Sequence, residues 1–373
     1  MLLTDRLREL STQNPYFTVT ENFFKPLPYP VYFVTKDPKW LPLINNPDLA
    51  FDDSLYELCV TGHDMWSAQA YLDLKRRGFD VHLVSEPLPG KICIIPYYYL
   101  QPKDWLFKSY VIGCRYDTPH PQLCNQRIVI NPLQVRDQTH HYLPHRPQPN
   151  LQPRDASRGI TLKNLVFKGH SYNLAEPFRT PEFLSALEAM GITLRMSTEN
   201  LDSSFADWAN YTEADAVIAV RNNTVYDISL KPALKLINAW FAGCPAILGP
   251  EPGYQQIRRS ELDYFEVRTP EEAIAALQRL QQDPELYLAM VENGFKRAQE
   301  YTLDRVILEW HHFLTGPIAQ GYEQWLRRSA IEKQFGRPLR YAGQIVRQKL
   351  AEKEYKHKIH HGPRILEGAQ SSV

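Results

Sequence analysis

Residues 228–250, ISLKPALKLINAWFAGCPAILGP, decide the fold class of this 373-residue chain. Five residues of the stretch fall at helical spacing and predict one buried helix: Leu234, Ile237, Asn238, Phe241 and Ala242. Gly243 is a natural C-terminal stop, and Pro245 prevents the helix from continuing. The short apolar run 246–248 is typical of a parallel strand covered on both faces. A loop, a buried helix, a glycine stop and a buried strand are therefore predicted in this order.

The residues just before the predicted helix favour an anion site. Ser229 and Lys231 lie in the predicted entry loop, close to the first turn of the helix. The free N–H groups of a first turn collect partial positive charge, and a lysine adds a full one. The stretch therefore predicts a helix whose start can hold a negatively charged group.

The segments that follow continue the same kind of domain. Residues 264–267 predict a strand. Thr269 then caps a helix whose first turn holds Pro270, and Glu272 closes a capping box. Asp283 and Pro284 begin another helix. In serial order, residues 228–314 resemble the C-terminal domain of GT-B glycosyltransferases, where a Lys-Pro-rich or acidic entry leads into a helix ending Ala-x-x-x-Gly-x-Pro.

This resemblance implies an α/β fold of the GT-B type, with two Rossmann-like domains whose parallel sheets face each other across a cleft. Residues 1–155 are expected to form the acceptor-side domain and 156–318 the domain that binds a nucleotide-sugar donor. Strand-like and helical runs alternate on both sides of a Pro-rich and His-rich stretch at 137–159, which predicts the linker. Residues 319–373 predict basic helices that cross back to the first domain, with a disordered end.

Composition excludes several classes of protein. The formal net charge is zero and the pI is about 7.2, which does not favour nucleic-acid binding. Five unpatterned cysteines indicate a reducing compartment rather than a disulfide framework or a zinc site. No apolar run approaches 18 residues and the N-terminus lacks a signal-peptide core, so a cytoplasmic protein is expected. Adjacent histidines such as His140 and His141 rarely share a metal and no Cys or acidic residue has ligand spacing to them, so no metal or other cofactor is expected.

The donor side is assigned from what the resemblance implies and from charge. Metal-dependent sugar transfer commonly uses an Asp-x-Asp motif, which this sequence lacks. Ser229, Lys231 and Arg221 would hold the diphosphate, and Gly169, after the first strand of the second domain, would let the backbone approach the donor. A solvated lysine, a surface ion pair and a turn glycine are the plainer alternatives for these positions.

One departure from the family concerns the reaction's stereochemistry. Many retaining GT-B enzymes carry two glutamates eight positions apart around the donor helix. The aligned residues here are Leu230 and Asn238. Leu230 cannot bind a sugar hydroxyl, and Asn238 could hydrogen-bond a ribose but cannot carry charge, so retention and inversion both stay open.

In the first domain, two loops offer a general base. Gly62, His63 and Asp64 precede a helix, and the loop resembles the glycine-rich first loop of GT-B N-terminal domains; an exposed His63 and a capping Asp64 are the alternative. Arg115 and Asp117 follow the predicted strand 109–114, where inverting relatives such as the xanthan-type glucuronosyltransferases place a catalytic aspartate. Asp117 ranks slightly ahead of His63, since a carboxylate is ionised at neutral pH.

These expectations favour a glycosyltransferase of the hexosyltransferase type acting on a saccharide or lipid-linked acceptor, in polysaccharide or glycolipid synthesis. The alternatives are a non-catalytic GT-B-like binding protein and a sugar-nucleotide epimerase. Between 321 and 364 the tail carries 11 Lys/Arg against four Glu. It is interpreted as a solvated basic helix or as a patch that contacts the inner membrane face.

Overall fold

The computed structural model describes residues 3–17, 24–197 and 207–367. The described residues form two sheets in which every strand pairing is parallel. The strands are β1 (Val31–Val34), β2 (Val81–Val84), β3 (Ile92–Pro96), β4 (Tyr110–Arg115), β5 (Gln126–Val129), β6 (His140–Tyr142), β7 (Asn164–Phe167), β8 (Thr193–Met196), β9 (Ala216–Ala219), β10 (Ala246–Leu248) and β11 (Phe265–Glu266). The predicted α/β class is confirmed.

Helices connect most of these strands, as parallel crossovers require. They are α1 (Leu3–Thr12), α2 (Leu41–Asn45), α3 (Gly62–Asp64), α4 (Ala70–Lys75), α5 (Pro181–Ala189), α6 (Val225–Leu230), α7 (Leu234–Ala242), α8 (Pro252–Ile257), α9 (Pro270–Gln282), α10 (Pro284–Ala298), α11 (Leu303–Phe313), α12 (Ala319–Arg327) and α13 (Arg337–His361). Single π-helical turns join α3 to α4 and α11 to α12, and another precedes α13.

The chain divides into two compact units. The first unit comprises Glu21–Pro144 and Val306–His361, and the second comprises Met1–Thr20, His145–Arg305 and Gly362–Val373. These bounds differ from the expected ones at 155 and 318, because α1 packs in the second unit and α11 in the first. The predicted disorder of the end of the chain concerns residues 368–373, which lie outside the described residues.

The first unit holds a six-stranded sheet of order β2-β1-β3-β4-β5-β6. Its central strands β3 and β4 are buried along their whole length. Covered strands of this kind carry continuous apolar runs, which is why 92–96 and 109–114 could be found from the sequence. The helix α13 packs against this unit, and the Tyr341 hydroxyl at its start donates to the Pro102 carbonyl at 3.1 Å.

The second unit holds a five-stranded sheet of order β11-β10-β9-β7-β8. The strands β7, β9 and β10 are buried, and α7 packs on them with seven consecutive buried residues from Leu236 to Ala242. Gly243 ends α7 at φ 69°, in the left-handed conformation that glycine adopts most readily. Thr269 and Glu272 form the predicted capping box of α9.

Three local predictions are corrected. The expected strand at 57–61 is wrong, because Asp53–Leu58 is a 3₁₀ helix started by the Asp52 side chain. The expected linker 137–159 contains β6, and Leu151 and Arg154 within it are buried. The expected entry loop before α7 contains the helix α6, which Thr224 caps by accepting from the Asp227 N–H.

All five cysteines are buried thiols. Cys59, Cys93 and Cys244 were expected to be buried as small apolar residues, and they are. Among the described residues, no helix is both long enough and apolar enough to cross a membrane.

Candidate functional site

The strand order gives each sheet one point at which a ligand is expected to bind. In the second unit the chain runs from β7 to β8 on one side and then places β9 on the other side of β7. Side chains that follow neighbouring strands on the two sides of such a switch point surround a crevice at the carboxyl edge. Here β7 leads to Lys168 and Gly169, and β9 leads to Arg221.

Lys235, in the first turn of α7, lies at this edge. Its ammonium group donates to the Lys168 carbonyl and lies 4.7 Å from the centroid of the Phe167 ring. Burial and the Arg221 charge together lower the pKa of Lys235 to about 7, against the opposing effect of Glu251. A lysine held close to neutrality beside a second cation is a group that gains its charge when an anion arrives.

Arg221 is paired with Glu251, which follows β10. The guanidinium NH1 donates to Glu251 Oε2 at 2.7 Å, and the two side chains are 13% and 2% exposed. Burial raises the pKa of Glu251, while Arg221, Lys235 and Lys231 lower it. With Asp227, which lies 3.3 Å from Lys231, two carboxylates are set against three basic groups, so the edge gains net positive charge when Lys235 is protonated.

The first turn of α7 adds the positive end of a helix dipole to the charge of these side chains. Ala233 is the N-cap residue and supplies no side-chain acceptor to the first turn. The free N–H groups of the first turn of α7 therefore carry the partial positive charge expected at a helix start. Lys231 lies just before this turn, and its ammonium is 3.3 Å from Asp227 Oδ1.

Gly169 lies at the carboxyl edge of the second sheet, next to Lys235. Its φ is 144°, a conformation that side-chain-bearing residues rarely adopt, and a Cβ there would lie 2.8 Å from the Lys235 ammonium nitrogen. Its own N–H donates to Ser197 Oγ at 3.2 Å. Glycine is thus required both by the backbone and by the position of Lys235.

Two predicted donor residues have other surroundings. Ser229 lies inside α6, and its hydroxyl donates to the Tyr226 carbonyl at 2.7 Å. Asn238 is 6% exposed, and its Oδ1 accepts from the Gln148 N–H at 3.0 Å. The structure thus gives Asn238 a packing role within the second unit. Gly169, Arg221 and Lys231 lie at the carboxyl edge with Lys235.

The first unit has its own switch point, between β1 and β3. The His63 ring lies 5.3 Å from the ring of Tyr99 and 6.2 Å from that of Tyr98, both just after β3. Burial lowers the pKa of His63, the Asp64 charge opposes this, and Lys39 lowers the pKa further. The neutral imidazole is therefore favoured, which is the form that accepts a proton.

Asp64 anchors the loop that carries His63. It is fully buried and accepts from Lys39 Nζ at 2.8 Å, from Trp40 Nε1 at 2.8 Å and from the Thr61 N–H at 3.0 Å. Gly62 lies against the Tyr116 ring, where a Cβ would come within 2.9 Å of a ring carbon. These contacts fix the backbone on both sides of His63.

Asp37, His63 and Asp64 have ligand atoms within 4.8 Å of one another. Lys39 Nζ lies 3.3 Å from Asp37 and 2.8 Å from Asp64. The Lys39 ammonium group lies between the two carboxylates and offsets one of their two negative charges. Asp37, which follows β1, was not found from the sequence.

Asp117 lies two residues beyond β4, as expected, and is exposed. Its carbonyl accepts from the Tyr355 hydroxyl of α13 at 2.9 Å. Arg115 is 1% exposed, and its NH1 donates to Gln134 Oε1 at 2.6 Å. Arg115 therefore has a structural role in the first unit, and Asp117 is separated from the β1–β3 switch point by a strand.

On the donor side, the residues not found from the sequence are Lys235 and Glu251. Lys235 was read as part of the helix, although its place in the first turn, four residues after Lys231, was a usable signal. Glu251 follows β10 at the same edge as Arg221, and its burial could not be read from the sequence.

No protein-family model matches the sequence, and a search of curated proteins found no significant match. Similar solved structures include the pneumococcal O-GlcNAc transferase GtfA with UDP and GlcNAc, at 10% identity and a TM-score of 0.46 over 61% of this chain and 57% of that one. TarM from S. aureus, with UDP among its ligands, gives 7% and 0.43 over 60% and 55%. Anabaena HepE with UDP and glucose gives 9% and 0.44 over 79% and 100%. The chain thus spans little more than half the length of GtfA and of TarM.

The fold of the chain is defined by the strand order of its two units. Each unit has a parallel sheet covered by helices, and each sheet has a switch point with polar side chains at its carboxyl edge. The chain therefore contains two Rossmann-like units with parallel sheets, as the sequence predicts.

Proposed function

We propose that this chain is a glycosyltransferase of the hexosyltransferase type that takes a sugar from a nucleoside-diphosphate donor. The observation that carries the proposal is the cation cluster of the second unit: Lys235, Arg221 and Lys231 around the uncapped start of α7. The acceptor is a saccharide or a lipid-linked saccharide, and the proposed setting is polysaccharide or glycolipid synthesis in the cytoplasm.

The charges of this cluster suit the leaving group of sugar transfer. When the bond from the sugar to the diphosphate breaks, negative charge grows on the diphosphate. Fixed ammonium and guanidinium groups and the N–H groups of a helix start stabilise that charge without a metal ion. Arg221 would exchange part of its pairing with Glu251 for a phosphate oxygen.

We further propose that His63 is the base that takes the acceptor's proton if transfer inverts the sugar. It lies at the β1–β3 switch point, and burial favours its neutral form. Asp117, ranked first from the sequence, is the alternative; its exposure and its place beyond β4 weigh against it. Neutral imidazole beside two tyrosine rings also suits a sugar hydroxyl presented in an aromatic setting.

A panel of nucleotide sugars tests the reaction. UDP, GDP, ADP and TDP are first compared by thermal shift, because a specific ligand raises the melting temperature by mass action. The matching sugar nucleotides are then supplied with saccharide acceptors, and release of the nucleoside diphosphate is followed. His63→Ala should reduce turnover about 10²- to 10⁴-fold while nucleotide binding persists. Asp117→Asn should keep turnover within about threefold of the wild-type value.

The reverse result would assign the base to Asp117. Unchanged turnover in both variants would remove both residues from that role. If none of the four nucleotides raises the melting temperature, the assignment of the donor site is contradicted.

A non-catalytic binding protein of the same fold is the second candidate. Many retaining enzymes carry a pair of glutamates, and this chain has Leu230 and Asn238 at the aligned positions. Leu230 is 1% exposed. The Asn238 side chain accepts a hydrogen bond from the Gln148 backbone N–H. Nucleotide binding without transfer or hydrolysis for any sugar tested would favour this candidate.

A further inference from the structure

The last helical segment of the first unit exposes large apolar side chains to solvent. The residues and their exposed fractions are Ile331 74%, Phe335 65%, Leu339 77%, Val346 59% and Leu350 61%. We call these five residues the outer stripe. Burying side chains of this kind is strongly favourable, so an exposed row of them on one helical segment indicates a surface that is covered in use.

The outer stripe begins at Ile331 and continues along one face of the π-helical turn Glu332–Gly336 and of α13. Leu339, Val346 and Leu350 are seven and four residues apart, so they share a face at 3.6 residues per turn. The opposite face packs on the first unit: Gln344 Nε2 donates to the Cys124 carbonyl at 3.1 Å, and Gln348 Nε2 donates to Tyr97 Oη at 2.7 Å. The helix is therefore held in place with the stripe turned outward.

Basic side chains flank the stripe. Residues 326–350 contain seven Lys/Arg and one Glu. On α13, Arg340 and Arg347 lie on one side of the stripe and Lys349 on the other, by helical position. Glu332 pairs with Arg328 at 2.9 Å and also with Arg340, and Glu323 lies 3.5 Å from Arg327, so two carboxylates offset seven cations only in part.

A cationic cavity of about 200 Å³ lies beside the start of this segment. Arg328, Arg337 and Arg340 line it together with Trp325 and Tyr341. The Arg337 guanidinium lies 3.5 Å from the centroid of the Trp325 ring, and its NH2 donates to the Trp325 carbonyl at 2.6 Å. A cavity with three guanidinium groups and an aromatic wall suits a phosphate group attached to a larger body.

We propose that the outer stripe and its flanking cations bind the surface of an anionic phospholipid membrane. The helix would lie in the plane of the interface, with the apolar residues in the acyl boundary and the Arg and Lys groups at the lipid phosphates. A second copy of this chain fits less well, because it would bring two strongly basic faces together. The inference goes beyond the proposed function and does not depend on it, since it concerns only the first unit.

Co-sedimentation of the full chain with vesicles tests this proposal. Vesicles of phosphatidylcholine alone are compared with vesicles that also contain phosphatidylglycerol. Replacing three stripe residues, Leu339→Ser, Val346→Ser and Leu350→Ser, should reduce partition to the anionic vesicles at least about tenfold. Replacing Arg340, Arg347 and Lys349 by Gln should reduce it about fivefold for each charge and weaken its salt dependence.

The matched control is Phe51→Ser, which removes a 64% exposed aromatic residue elsewhere in the first unit and should leave partition unchanged. Far-UV circular dichroism of every variant checks that the helices remain. Wild-type protein that stays in the supernatant with both vesicles overturns the proposal. So does light scattering that shows a dimer dissolved by the triple Ser variant, because the stripe would then bind a second copy. Neither readout involves sugar transfer, so the result is independent of the enzymatic assignment.

Discussion

Lys235 is the residue whose chemistry most directly links this structure to anion binding. Burial and the Arg221 charge lower its pKa to about 7, so about half of the molecules carry a neutral amine near neutral pH. A bound diphosphate would raise that pKa, since two negative groups beside the amine favour its protonation.

Nucleotide affinity should therefore fall as the pH rises from about 6.5 to about 8.5, by up to about tenfold per pH unit above the pKa of the free protein. Titration calorimetry in buffers of different ionisation enthalpy should show proton uptake on binding at about pH 7.5. Lys235→Arg, which stays charged, should flatten this profile. Equal pH profiles for the wild type and Lys235→Arg would rule out a titrating lysine.

His120 and His140 form a second titrating pair, in the first unit. Their Nε2 atoms lie 2.7 Å apart, so one ring must accept a hydrogen bond and stay neutral. Burial lowers the pKa of His120 to about 2, helped by Arg127 and Arg115, and burial also lowers the pKa of His140. In the unfolded chain both would titrate near about 6.5.

Stability should consequently be lost as the pH falls below about 6.5, because the unfolded chain then binds protons that the folded chain does not. The free energy of unfolding should drop by at most about 1.4 kcal/mol per pH unit for each histidine between about pH 6.5 and 5. Urea denaturation across this range measures the slope. His120→Gln should reduce this slope; a slope equal to that of the wild type would contradict the assignment.

At the scale of elements, the turn after β7 is the most constrained part of the donor side. Gly169 has a φ of 144°, and its Cα faces the Lys235 ammonium. Gly169→Ala would place a methyl group 2.8 Å from that nitrogen and strain the backbone.

The expected cost is about 1–3 kcal/mol in stability, with a loss of nucleotide affinity as Lys235 is displaced. Thermal unfolding and calorimetric titration measure the two effects separately. Gly316→Ala, at a position with nothing within 4 Å of the added Cβ, is the matched control. Normal affinity in Gly169→Ala would show that Lys235 does not need its present position.

The same elements show which features a sequence can reveal. The buried strands β3, β4, β7, β9 and β10 and the start of α9 follow local rules, namely continuous apolar runs and a capping box, and were found in place. The strand expected at 57–61 and the loop expected before α7 were wrong, because 3₁₀ helix 53–58 and α6 begin with Asp52 and Thr224 caps that lie outside the apolar pattern.

The candidate site was less predictable than the fold. Gly169, Arg221 and Lys231 follow strands or precede a helix, so their place at the edge of the sheet could be inferred from the order of segments. The partners of a side chain depend on residues far away in sequence, such as Gln148 for Asn238 and Glu251 for Arg221. No local pattern carries that information.

At the scale of the whole molecule, the chain passes between the two units at 20/21, 144/145, 305/306 and 361/362. Neither unit is a continuous segment. The second unit needs α1, in which Leu7 is 2% exposed and lies in the apolar core, and the following Asn14, whose amide donates to the Phe241 carbonyl at 2.7 Å.

Leu7→Ala should therefore destabilise the second unit by about 2–4 kcal/mol, as other buried leucines do. Arg6→Ala is the control on the same helix; it breaks only exposed pairs with Glu285 and Glu292 and should cost less than about 1 kcal/mol. Denaturation curves of both variants compare the two losses. A stable Leu7→Ala protein would show that α1 is dispensable for the second unit.

The central claim is that the carboxyl edge of the second sheet binds the diphosphate of a nucleotide donor. Calorimetric titration of the best-binding nucleoside diphosphate into the wild type, Lys235→Ala, Arg221→Ala and the control Lys296→Ala tests it most directly, Lys296 being an exposed lysine of α10 in the same unit. Loss of a charge-assisted contact should weaken binding about 10- to 150-fold in each of the first two variants, and the control should match the wild type. Wild-type affinity in both Lys235→Ala and Arg221→Ala, with their folds intact, would contradict the claim.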